Sequence, residues 1–385
     1  MPWKEAKVVD LRIQFVLAHQ EDPGGNLRAL CRQFGISAPT GYKWLRRFEE
    51  GGQAALESQS SGRREPPNRT PDSVVARILE LRKKHPFDGP KKLRARMLAL
   101  AETAPAASTI GDILKKFGMI RPRKRRIRVA PYPSPLTAGS APNDVWCIDF
   151  KGQFPLGDGT RCYPLTITDL HSRFILVCEA LTHPIESEVR RVCERLFGEF
   201  GVPKVIRSDN GTPFASKAIG GLSKLSVWWH QLGIVHERIE PGEPQQNGVH
   251  ERMHRTLKEQ CCTPAKGTMI EQQLAFDRFR ADFNEHRPHE ALNLTPPAKH
   301  YALSTRTMPA NPTAIAYPSH YLVRHVNDRR IQVAGRRLQV GTVLDGALVG
   351  LEAIDEAHWS LYFGPTLLGR LQLKGERLYF EMKAA

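Results

Sequence analysis

The sequence predicts a multidomain chain: all-α units at the N-terminus, a central α/β domain and a small all-β domain at the C-terminus. Three observations carry this. The 385 residues exceed what a single hydrophobic core usually organises. The apolar spacing changes along the chain, from helical, to mixed, to short strand-like runs. Four prolines between Pro131 and Pro142 make a semi-rigid boundary between the first pattern and the second.

Composition narrows the function. Lys plus Arg number 56 against 40 for Asp plus Glu, a net charge of +16. A balance this basic points to a polyanion, most simply nucleic acid. Hydrophobic content of 41% and charged content of 25% are ordinary for a globular protein. Seven scattered Cys with no CxxC pair fit reduced thiols. No apolar run approaches the ~18 residues of a membrane span, and the opening MPWKE is no signal peptide. The expectation is a soluble, cytoplasmic, nucleoid-associated protein.

Residues 1–57 read as a helix-turn-helix unit. Val8, Leu11, Ile13, Phe15 and Val16 mark a first amphipathic stretch. Asn26 is placed to cap a second helix, which Gly35 ends. Ser37 is placed to cap a third, with Tyr42, Trp44, Leu45 and Phe48 on its apolar side. The polar side supplies Thr40, Lys43, Arg46 and Arg47 as expected DNA contacts. Residues 72–120 read as a second such unit, its last helix capped by Ser108. Residues 121–142 are a basic arm and linker. Arg121–Arg128 holds six cations in eight residues, and Arg123, Lys124, Arg125 and Arg126 are expected to follow a phosphate backbone.

Residues 143–300 alternate strands and helices. DVWCIDFKGQF reads as an alternating strand, LGDGT as a hairpin turn, and YPLTITDLHSRFILVCEAL as two more strands. A helix over ESEVRRVCERLFGEF comes next, then the strand KVIRSD, a helix at about 216–232 and the strand IVHERI. PGEPQQNGVHERMHRTLKEQ is a polar turn opening a helix. Glu251, His254, Arg255 and Lys258 fall on one face of it by spacing. A last helix, 268–286, has Leu274, Phe276, Phe279 and Phe283 as its apolar side. Residues 316–385 hold seven short strands, the pattern of a small barrel.

Two chemistries compete for the 241–260 stretch. His250-Glu251-Arg252-Met253-His254 matches HExxH, the spacing of a zinc protease. Leu257, however, stands where the extended form of that motif has Gly. The other chemistry joins three carboxylates. Asp149 lies mid-strand, Asp209 ends the KVIRSD strand 60 residues on, and Glu251 comes 42 residues later. Hard oxygen donors without matching His or Cys suit Mg²⁺ or Mn²⁺. Two such ions are the arrangement that phosphodiester chemistry uses.

WCIDFKGQF, ITDLHSRF, IRSDNGTPF, PGEPQQNGVHERMHRTLKE and FNEHRPHEALNLTPPA occur in this order over about 150 residues. Together they resemble the catalytic core of DDE-type transposases and retroviral integrases. The helical units resemble those of bacterial insertion-sequence transposases. The C-terminal strands resemble, more weakly, the SH3-like barrel of integrases.

The resemblance implies an RNase H-like core in which Asp149, Asp209 and Glu251 are the catalytic metal-binding acids. It places Lys258 at the element's end, and Gln246 and Asn247 on a loop near the scissile phosphate; Arg255, one turn before Lys258, is a further expected DNA contact. It implies cleavage at terminal inverted repeats of double-stranded DNA, 3′-OH transfer to target DNA, and a homo-oligomer (dimer or tetramer) on that DNA. The chain departs from the retroviral pattern in lacking a His/Cys zinc domain. Its step from Asp209 is also longer, with SKAIGGLSKLSVWWHQLG as the excess. Glu243, 34 residues after Asp209, is the rival third acid. A DNA-binding regulator without catalysis is the other reading of the chain.

Overall fold

A computed structural model describes residues 8–57, 69–120, 136–240, 242–310 and 315–382. The basic arm, with Arg123, Lys124, Arg125 and Arg126, lies outside the described residues. The chain divides into two compact units, residues 1–70 and 71–385.

In the first unit α1 (Val8–Glu21), α2 (Leu27–Gln33) and α3 (Ala38–Gly51) enclose Phe15, Val16, Cys31, Leu45 and Leu56. Asn26 caps α2, its Oδ1 accepting from the Arg28 and Ala29 amides. Gly35, at φ 65°, makes the turn, a conformation that costs glycine little. Gly41 lets α3 approach closely, since a Cβ there would lie 2.5 Å from Cys31 Sγ. Two expectations change. Ser37 is the N-cap residue, but its hydroxyl pairs with Thr40 Oγ1 at 2.8 Å and no amide is capped. Tyr42 is exposed rather than apolar core.

The second unit opens with α4 (Asp72–Lys84), α5 (Pro90–Ala99) and α6 (Ala107–Lys116), packed on Ile78, Leu81, Leu93, Met97, Ile110 and Leu114. Ser108 does not cap α6: the helix starts one residue before it, after Ala106. Buried charge ties this helical group to the later part of the unit. Arg96 Nε donates to Asp88 Oδ2 at 2.7 Å, and its fork reaches Asp282 at 3.3 Å.

A mixed sheet forms the centre. Its strands are β1 (Val145–Phe150), β2 (Phe154–Pro155), β3 (Arg161–Asp169), β4 (Ile175–Leu181), β5 (Val205–Ser208) and β6 (Val235–Arg238). β3 pairs antiparallel with β1, β2 and β4. β5 lies parallel between β1 and β6. β1 is therefore central. Val145, Trp146, Cys147 and Ile148 are all fully buried, and the expected polar alternation is absent because both faces are covered. α7 (Glu186–Phe200) and α8 (Lys224–Gln231) cover the face of Trp146 and Ile148. On the other face, α9 (Gly248–Leu257) and α10 (Met269–Ala281) bring Met253, Leu257, Phe276 and Phe279 against Cys162, Ile175 and Cys178.

Three further expectations are corrected. The helix expected at 216–232 begins only at Lys224, because Gly220 and Gly221 hold positive φ and Ser223 forms a capping box with Ser226. Leu274 is half exposed. α9 stops at Leu257, and Lys258 opens a π-helical turn to Cys262, which takes it off the regular helical spacing.

All seven C-terminal runs are strands: β7 (Tyr321–His325), β8 (Arg330–Val333), β9 (Arg336–Gln339), β10 (Leu348–Ala353), β11 (His358–Phe363), β12 (Thr366–Lys374) and β13 (Arg377–Met382). They form a five-stranded sheet and a separate β8–β9 hairpin. Among the described residues that pairing does not run continuously around one barrel. The 216–223 loop belongs to this core, with Ile219 and Leu222 packed among Val349, Leu361 and Leu368. The excess segment between Asp209 and Glu251 thus shares the β region's core through Ile219, Leu222 and Val227. All seven Cys are free thiols. No described helix is long and apolar enough to cross a membrane.

Candidate active site

Asp149 is on β1, on the face of Val145 and Cys147, opposite Trp146 and Ile148. Asp209 comes directly after the last residue of β5, the adjacent parallel strand. The C-terminal ends of strands are where sheets of this kind gather ligands. Asp209 Oδ1 accepts from the Gly211 amide at 3.0 Å, which fixes its rotamer. Glu251 stands on the first turn of α9 and is exposed. These three acids line one cleft of about 460 Å³, together with Glu240, Glu243 and Asn247. Sequence reasoning missed Glu240. The rival Glu243 lines the same cleft, so position does not separate it from Glu251.

The electrostatics of the cleft are those of crowded carboxylates. Burial first, and the neighbouring charge of Asp209 next, push the Asp149 carboxyl up to about 7. Asn247 is buried, and its Oδ1 has no hydrogen-bond partner among the described residues. Clustered hard oxygens, a carboxyl held reluctant to ionise and an orphaned amide oxygen fit a hard divalent cation.

His250 and His254 turn inward, which takes His254 off the face expected for it with Glu251, Arg255 and Lys258. Both are buried and held by β3. Thr166 Oγ1 lies 2.7 Å from His250 Nε2 and 2.6 Å from His254 Nε2, and it donates to the Asp149 carbonyl at 3.2 Å. Thr168 Oγ1 lies 2.8 Å from His250 Nδ1. Burial pushes His250 down to about 3 and His254 to about 2, so both are neutral.

Asp149, His250 and His254 do offer ligand atoms within 4.8 Å of one another. Both nitrogens of His250 are already bonded, however, leaving His254 Nδ1, 3.6 Å from Asp149 Oδ2. A zinc site using both imidazoles would have to break the threonine bonds. The pairing had a partial signal in sequence, matched spacing, which does not say which edge of α9 is buried. Thr166 and Thr168 alternate on a strand and His250 and His254 are one helical turn apart, each pair spanning roughly 6–7 Å.

The other expected contacts are dispersed. Gln246 Oε1 accepts from the Glu240 amide at 2.8 Å, which ties the turn before α9 to the cleft. Lys258 is exposed beyond α9, and Arg255 is exposed and lines a second cavity rather than the cleft. In the first unit Thr40 is half-buried and Lys43 exposed. Arg46 pairs with Glu50 at 2.8 Å. Arg47 stacks on Trp44 at 5.0 Å.

Comparison with known proteins gives the chain's domain families. Residues 139–244 and 232–297 match integrase core domain families. Residues 11–65 match a helix-turn-helix domain and 40–114 a homeodomain-like domain. The molecule is thus an integrase-core protein with helix-turn-helix domains.

The chain is 30% identical over 243 residues to the insertion element IS407 uncharacterized 31.7 kDa protein of Burkholderia multivorans, spanning 61% of this chain and 84% of that one. It is 31% identical over 204 residues to the insertion element IS476 uncharacterized 39.2 kDa protein of Xanthomonas euvesicatoria, spanning 52% and 56%. Among solved structures, the HTLV-2 integrase catalytic core domain in complex with magnesium aligns with a TM-score of 0.34 at 14% identity, over 43% of this chain and 100% of that chain. This chain belongs to the insertion-sequence transposases with an integrase-like core.

Proposed function

We propose that this transposase binds the terminal inverted repeats of its element, cuts a strand at each end and joins the freed 3′-OH to target DNA. The observation that supports it best is the shared cleft of Asp149, Asp209 and Glu251 in a chain of this family. In the first step a water oxygen attacks the phosphorus at the element's end and the 3′ oxygen leaves. In the second step that 3′-OH attacks a target phosphorus and a target 3′ oxygen leaves, so each step exchanges one P–O bond for another. Asp149, Asp209 and Glu251 would hold two Mg²⁺ (or Mn²⁺) ions, which would supply activation of the attacking oxygen and stabilisation of the leaving one.

The protein's own contribution is placement. The ladder between β1 and β3 and the Thr166 hydroxyl fix Asp149. The Gly211 amide fixes Asp209. The buried side of α9 fixes the turn that carries Glu251. The helix-turn-helix domains supply DNA binding, with Thr40, Lys43, Arg46, Arg47, Gln246, Asn247, Arg255 and Lys258 as contacts and the 121–128 arm along the backbone. Joining two ends together calls for a dimer or tetramer on the DNA.

The test is incubation of the full chain with duplex DNA carrying the element's ends, with Mg²⁺ or with chelator. The proposal expects metal-dependent nicks with 3′-OH termini and joined products. Tight end binding without any cleavage in Mg²⁺ or Mn²⁺ would instead identify a non-catalytic regulator.

A further inference from the structure

A second cavity, of about 410 Å³, lies beside α9, between α5 and the segment after α10. Five cationic side chains line it, Lys92, Arg173, Arg252, Arg255 and Arg287, beside His289. Two carboxylates, Glu259 and Glu290, share the wall and leave the lining net positive.

Polar atoms of this wall are left without partners. Six buried side-chain nitrogen or oxygen atoms lack a hydrogen-bond partner among the described residues, and three of them belong here: Arg173 Nη1, Arg287 Nε and His289 Nε2. Arg287 is 94% buried, being 6% exposed. Its nearest counter-charge is Asp88, 3.8 Å from Nη2 on the side of the helical group. An orphaned guanidinium nitrogen in such a place carries a desolvation cost that an oxyanion would remove. The cations also press on one another. Burial first, then Arg287, lowers Lys92 to about 8, and burial with Lys92, Arg287 and Arg173 lowers His289 to about 3.

We propose that this cavity binds a phosphate group, held by the Arg287, Arg173, Arg252 and Arg255 guanidinium groups with Lys92 from α5. Guanidinium forks match phosphate oxygens in pairs, and the cavity volume accommodates one phosphate with its waters. The group comes either from a DNA backbone laid across the junction of α5 and α9 or from free phosphate. Neither source depends on the cleavage chemistry of the acidic cleft.

The experiment titrates inorganic phosphate into the full chain at constant ionic strength, with chloride as the control. Binding is read by calorimetry and by the thermal midpoint. Arg287→Gln risks the fold, because Arg287 also faces Asp88. The Arg252→Gln/Arg255→Gln double variant changes two exposed side chains, and Lys92→Gln samples the other wall. The proposal expects saturable phosphate binding to the parent chain, weakened at least about 10-fold in the double variant and in Lys92→Gln.

A duplex arm then separates the sources. Phosphate that competes with DNA identifies the backbone as the source, and phosphate that binds equally with DNA present identifies the free anion. Absence of phosphate binding, or equal binding in parent and variants, overturns the proposal.

Discussion

The two sides of α9 carry opposite charge within five residues. Glu251 borders the cleft with Asp149, Asp209, Glu240 and Glu243. Arg252 and Arg255 border the cavity with Lys92, Arg173 and Arg287. Between them His250, Met253, His254 and Leu257 form the buried stripe that seats the helix on the sheet. Each side gathers like charges at an energetic cost. Burial first, and the neighbouring like charges next, drive Asp149 up towards neutrality on one and Lys92 and His289 down on the other. A cation would relieve the first and an oxyanion the second. Buried groups of one sign gathered together therefore mark where a ligand of opposite sign fits.

That contrast can be broken from either side or at its hinge. The largest effect is expected on the acidic side. Asp209→Asn should lower strand cleavage by on the order of 1,000-fold while leaving end binding intact, as measured by paired cleavage and mobility-shift assays.

The hinge comes next. Leu257 is fully buried under α9, and Leu257→Ala should cost about 2–5 kcal/mol, lowering the thermal midpoint and weakening both sides together. A loss confined to one side would show that α9 does not couple them.

The pH dependence is smaller and has a definite sign. Folded Asp149 titrates near 7 against an ordinary 3.8, so the folded chain keeps a proton that the unfolded chain loses. Without metal, the stability due to that proton is complete below about pH 4 and is lost as pH rises through 7. Asp149→Asn should flatten this part of the midpoint-against-pH profile. Mg²⁺ should raise the midpoint more at pH 8 than at pH 5.

The smallest effect is expected for Lys258, exposed and outside both cavities. Lys258→Ala should reduce the slope of log affinity against log salt by about one, with cleavage of bound DNA unchanged.

Much of the fold and the cleft is legible in the sequence, and the remainder is hidden for physical reasons. Asp149, Asp209 and Glu251 stand in stretches whose strand and helix patterns are strong, so their approach to one cleft comes from topology. The inward turn of His254 cannot be read from spacing alone. At i+3 from Glu251 it is a helical neighbour, and only the placement of Thr166 across from Asp149 shows which edge is buried. The 216–223 loop reads as helix because its apolar residues are periodic, yet those residues serve the C-terminal core, a long-range demand that local pattern does not carry. The basic cavity is assembled from four separate segments of chain, with no motif in any of them.

The central claim is that α9 presents Glu251, rather than the loop residue Glu243, as the third acid of the cleft. The direct measurement compares Glu251→Gln with Glu243→Gln for Mg²⁺-dependent cleavage of end DNA, normalised to the fraction bound. Glu251→Gln should abolish cleavage and Glu243→Gln should retain it. Cleavage retained in Glu251→Gln and lost in Glu243→Gln would contradict the claim.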